Sequence, residues 1–164
     1  DALPLLKNEE NIALFERHGV LNRAEINSRV DIVLENYTKT IHIEALTLLD
    51  MINRGVIPAI TSYSNALCET TNNKNSIRVD ASVENELLSR LTAANKELFG
   101  LTASLKMAVA SSEREKDVLK KATEYHDIIL KLMSDIRKYA DSAESVVPNS
   151  YWPYPSYGDL LFKI

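Results

Sequence analysis

The sequence is short of chain breakers and of sulfur. Its 164 residues include only 4 Gly, 5 Pro and 1 Cys. So few breakers disfavour a Gly-rich sandwich or propeller and favour long, uninterrupted helices. A single Cys forms no intrachain disulfide and builds no thiolate metal cage. The thiol of Cys68 fits a reducing compartment without proving one. Apolar runs as long as the roughly 18 residues of a membrane span are also missing. The opening Asp1-Ala2-Leu3-Pro4-Leu5-Leu6-Lys7 has neither the basic start nor the apolar core of a signal peptide. An excess of positive charge is lacking too: 19 Lys+Arg face 23 Asp+Glu, for a net charge of -4. That balance gives no broad electrostatic reason to expect nucleic acid. The chain opens without Met, which fits a piece of something longer.

What is present describes a folded helical chain. Hydrophobic residues make up 45% and charged residues 26%, the balance of a soluble, ordered protein. Asn22 followed by Glu25 reads as a capping box. After it Ile26, Val30, Val33, Tyr37, Ile41, Ala45, Leu48, Ile52, Val56, Ile60, Tyr63 and Leu67 recur every three or four residues. Ile43, Leu46 and Leu49 broaden that stripe, so this helix is expected to be covered on more than one side. Gly55 and Pro58 predict a kink or a split. The polar stretch from Glu69 to Ser76 reads as a mobile, solvated linker.

A second helix is expected to start between Asp80 and Ser82, with Leu87, Leu91, Ala94, Leu98, Leu101, Leu105 and Ala108 as its seam. Ser112 and Glu115 suggest the capping box of a third. Its seam is Val118, Ala122, Tyr125, Ile129, Leu132, Ile136, Tyr139 and Ala143. The fold class expected is all-α: an elongated antiparallel bundle of three long helices packed in coiled-coil fashion, each helix of the second and third ~40 to 50 Å long. A short helical segment precedes the bundle. Beyond it Pro148, Pro153 and Pro155 stop any helix, and Tyr151, Trp152, Tyr154, Tyr157, Leu160, Leu161 and Phe162 are too apolar to float freely.

No reacting centre emerges from the motifs. His42 and His126 lack the Glu three residues earlier that a di-iron bundle requires, since Lys39 and Thr123 stand there. His18, beside Gly19, reads as a helix C-cap. Gly19, Gly55, Gly100 and Gly158 are too far apart for a phosphate-binding loop. Gly100 lies inside the second helix, where close packing is expected, and Cys68 reads as a semi-buried structural thiol. Glu35 and Glu44 point in different directions along one helix. Asn36-Tyr37-Thr38 matches a glycosylation triplet but falls mid-helix. No catalytic, cofactor-binding or metal-binding residue is therefore assigned.

Two stretches carry a resemblance. The first is Ala13-Leu14-Phe15-Glu16-Arg17-His18-Gly19-Val20-Leu21 with Glu25, Ser28-Arg29, Glu35-Asn36-Tyr37 and Ile43-Glu44-Ala45-Leu46-Thr47. The second is Trp152-Pro153-Tyr154-Pro155-Ser156-Tyr157-Gly158-Asp159-Leu160-Leu161-Phe162. Together they resemble the C-terminal region of type III glutamine synthetases, the long-subunit class. Val30, Asp31 and Tyr154 depart from the pattern, where an aromatic, a Glu and a smaller apolar residue are usual.

The resemblance implies a domain organisation. Residues 1–21 would be a linker and short helix leading from an upstream catalytic domain, 22–146 a helical bundle, and 147–164 a docking tail rich in Pro and aromatics. It also implies a parent that joins ammonia to glutamate with ATP through a γ-glutamyl phosphate, using Mg or Mn. The groups holding metal, ATP and glutamate would lie upstream, so none is carried onto this sequence. A cytoplasmic homo-dodecamer of two stacked hexameric rings is the expected assembly. This region would be non-catalytic, with the catalytic domain and neighbouring subunits as partners and neither nucleic acid nor membrane among them. The alternative is a free-standing helical adaptor or protein-interaction bundle.

Overall fold

The computed structural model describes residues 2–155 and 157–162. The fold is an all-α helical bundle, and the described residues contain no strand. In chain order the helices are α1 (Leu3–Leu6), α2 (Glu9–Arg17), α3 (Arg23–Met51), α4 (Ile57–Ser76), α5 (Ser82–Ser112), α6 (Val118–Glu124), α7 (Leu130–Glu144) and α8 (Tyr157–Phe162). A single π turn joins α3 to α4 (Ile52–Val56), and another joins α6 to α7 (Tyr125–Ile129).

The chain forms two compact units: residues 1–45 with 108–130, and residues 46–107 with 131–164. In the first unit Val30, Leu34 and Ala122 form a buried cluster against which Leu3, Tyr37 and Val118 pack. Ile12 brings α2 into that unit's interior, and an ion pair of 2.6 Å joins Lys7 to Asp31. The guanidinium of Arg23 donates to both carboxylate oxygens of Glu9, each at 2.6 Å, and its amide donates to Glu16. In the second unit Ile60, Leu91, Leu98 and Ile136 are fully buried.

Local signals explain the helix ends. The Asn22 side chain accepts from the Glu25 amide at 2.9 Å while Glu25 accepts from the Asn22 amide at 2.8 Å, the reciprocal capping box expected there. His18 caps α2, with Gly19 at φ +63° closing a Schellman motif through Gly19 N–H to Glu16 and Val20 N–H to Phe15. Asp80 accepts from the backbone and the hydroxyl of Ser82, which opens α5.

Several expectations are corrected. The stretch from Glu69 to Ser76 is no linker, because α4 continues through it to Ser76. The helix holds these polar residues in different ways: Thr70 bonds back to Ala66, Thr71 is buried, and Lys74 pairs with Glu84 of α5 at 2.7 Å. The chain instead turns at 77–81, where Arg78 at φ +59° takes the left-handed position of a second Schellman motif. Ser112 ends α5 rather than opening the next helix. Asp117 caps α6, accepting from the Lys120 amide at 2.8 Å.

Pro58 does not divide the first helical run. It falls in the first turn of α4, where its missing N–H costs nothing. The π turn just before it, closed by Ile57 N–H donating to Ile52, absorbs the extra residue. Gly100 meets nothing within 4 Å of where a Cβ would stand, so close packing is not its reason. Cys68 is exposed rather than semi-buried. Ile43 and Leu46 are exposed at 63% and 48%, so the broadened stripe is not covered within the described residues. The seams hold with small offsets: Val33 and Tyr139 lie outside the core, while Leu34, Thr102 and Val109 lie inside it.

Candidate functional site

The histidines are held by separate structural contacts. In the first unit His42 Nδ1 lies 2.9 Å from the hydroxyl of Tyr125, and its Nε2 lies 3.4 Å from Glu113. The imidazole thus bridges the phenol and the carboxylate through its two ring nitrogens. Tyr125 opens the second π turn and is completely buried. Burial, and then the charge of Glu113, raises its phenol above the ordinary value, so it stays a proton donor at neutral pH. His126 pairs with its neighbour Asp127 at 2.7 Å on the surface, and His18 is a helix cap. Among the described residues no three His, Cys, Asp or Glu side chains converge as metal ligands.

A polar recess in the first unit, about 240 Å³ in volume, is lined by Glu35, Thr38, Lys39, Glu115, Lys116 and Lys121. Its acidic groups are engaged locally. Glu35 lies 3.4 Å from Lys39. Glu115 accepts from the Lys120 ammonium and from the amides of Lys116 and Asp117. Together these donors hold its carboxyl down to about 2, with the Lys120 hydrogen bond the largest cause. This recess organises the turn between α5 and α6.

The aromatic tail is the other gathering of side chains, and it lies in the second unit. Val147 is buried and continues the interior beyond α7. Pro148 then turns the chain, its carbonyl accepting from the amides of Tyr151 and Trp152. The Tyr151 ring packs on Tyr63 of α4 with centroids 5.4 Å apart, tilted by 50°. That separation is in the favourable range for aromatic pairs. The Tyr154 hydroxyl donates to the Met51 carbonyl at 2.9 Å. Its ring covers Gly55 in the first π turn, occupying the space a Cβ would need. Burial, and then the nearby Asp50 charge, raises the Tyr154 phenol above its ordinary value. The first half of the tail is thus fixed to this chain's own helices, one of the two readings its composition permits. Leu160, Leu161 and Phe162 on α8 stay exposed.

Sequence reasoning picked out the tail but missed its receptor. Gly55 was legible only as a breaker near Pro58, and the Tyr154 partner lies 103 residues away in the chain. The His42–Tyr125–Glu113 contact carried no local signature either.

Residues 1–75 match the family described as the glutamine synthetase C-terminal domain. Over all of its length the chain is 35% identical to a glutamine synthetase of Butyrivibrio fibrisolvens, covering 24% of that protein. The chain's first 75 residues thus match a glutamine synthetase C-terminal domain, and the whole chain is similar to glutamine synthetases. It is also 29% identical, over 99% of its length, to a type-3 glutamine synthetase of Dictyostelium discoideum, and 24% identical to a glutamine synthetase of Bacteroides fragilis strain YCH46. The chain spans about a quarter of the length of each of these curated relatives. Val30 lies in the buried cluster with Leu34 and Ala122, and Asp31 pairs with Lys7.

Proposed function

We propose that this domain is the non-catalytic structural and assembly part of a glutamine synthetase subunit. In this reading the full subunit makes glutamine from glutamate, ammonia and ATP, and the ATP and the Mg or Mn ions bind in the upstream catalytic domain. The helical domain packs on that catalytic domain and on neighbouring subunits of a cytoplasmic homo-dodecamer. One observation carries the reading. The whole chain is similar to glutamine synthetases over only a quarter of their length, and that quarter folds here as helices that bury their seams against one another.

The physical chemistry supports the division of labour. Phosphoryl transfer needs carboxylates gathered for the metals and cations aimed at the phosphates. In the polar recess the Glu115 carboxylate is already taken up by its own lysine and amides. The tail, with residues from Tyr151 to Phe162, is the docking element. Removing it from the full-length subunit should weaken the assembly, seen as smaller particles or a lower melting temperature in light scattering and calorimetry. Unchanged particle size and melting would refute the assembly role.

A further inference from the structure

The tail has two parts with opposite surroundings. Tyr151 and Tyr154 are fixed on α4 and the first π turn, through a ring contact and a hydrogen bond to Met51. A few residues on, α8 leaves Leu160 exposed at 66%, Leu161 at 71% and Phe162 at 80%. A chain segment free to collapse would hide such side chains first, since each is worth more buried than any polar neighbour. Here Tyr151 and Tyr154 are held on the unit, while Leu160, Leu161 and Phe162 remain outside it.

We infer that the tail is an anchored plug. Tyr151 and Tyr154 hold it in place, and Leu160, Leu161 and Phe162 insert into an apolar recess on the upstream catalytic part of the same polypeptide. The inference rests on the proposed role as a glutamine synthetase domain. The size of the plug selects the occupant. Three side chains of this kind offer on the order of 400 Å², about half of the ~800 Å² per partner that a stable contact between separate chains requires. A contact that small suffices when the partner is tethered, because the tether supplies a high effective concentration. The relatives provide that partner, since three quarters of their length lies outside the matched region.

The test places a photoreactive benzoylphenylalanine at position 162 of the full-length subunit. Irradiation should give crosslinks within one polypeptide, mapped by peptide mass spectrometry to residues upstream of this domain. Leu161→Asp should lower their yield roughly tenfold, the factor set by losing one buried leucine. Leu161 is exposed in this domain, so the variant folds. Crosslinked dimers, crosslinks confined to the domain itself, or no crosslink at all would each overturn the plug. If the crosslink fails while deletion of the tail still weakens the assembly, only the plug falls. If deletion also changes nothing, the assembly role falls with it.

Discussion

Two glycines separate what a residue does from what it is. Both lie in helical backbone, yet Tyr154 covers Gly55 while Gly100 faces open space. Gly100→Ala should therefore stabilise the domain by up to about 1 kcal/mol through backbone entropy alone. Gly55→Ala gains the same propensity but drives a methyl group into the Tyr154 ring, for a net loss of about 1–2 kcal/mol. Denaturant unfolding measures both changes, and Trp152, the sole tryptophan, reports release of the tail by fluorescence. A Gly55→Ala variant as stable as the parent, with unchanged tryptophan emission, would refute the Tyr154 contact. Glu115 gives a second prediction at this scale. Its folded value of about 2 lies below the ordinary 4.5, so the unfolded chain takes up the proton first as pH falls. Its contribution to stability is complete above about pH 4.5 and is lost progressively down to about pH 2. Stability measured against pH should flatten across that window in Glu115→Gln.

At the scale of helices and turns, the ends matter as much as the seams. The Asn22 box was legible because both partners lie within four residues of one another. The end of α4 was not, because polar, turn-prone residues can bond back into their own helix when the next turn of the stripe, here Thr71, is buried. The reversal after α4 places a non-glycine residue, Arg78, at φ +59°. Arg78→Gly removes the cost of a side chain in that conformation and should stabilise the domain by about 1 kcal/mol. Thermal unfolding followed by circular dichroism decides it, and a destabilised variant would mean that the arginine side chain matters more than its backbone. The π turns are legible only in part. Pro58 announced a disturbance in the first, while nothing in Tyr125–Ile129 announced the second.

For the whole molecule, the proposed non-catalytic role has the clearest consequence. The chain studied alone should give a strongly helical circular dichroism spectrum and no glutamine from glutamate, ammonia and ATP, whatever divalent ion is added. Measurable ligation by the isolated domain would refute the non-catalytic assignment. The tail was legible as apolar and proline-stopped, and its two possible fates were equally balanced in the sequence. The structure shows the inward attachment of Tyr151 and Tyr154, while Leu160, Leu161 and Phe162 of α8 are exposed.

By itself the sequence determined the helical class, the first capping box, most of the buried seams and the resemblance to glutamine synthetases. Each of these is written in neighbours three or four residues apart, or in a continuous motif, where local periodicity and composition are enough. Tertiary structure alone decided that Gly55 receives Tyr154, that His42 meets Tyr125 and Glu113, and that Gly100 faces open space. Those pairings join residues tens to a hundred positions apart, and the spacing along a chain does not encode which distant surfaces come within a hydrogen bond of each other.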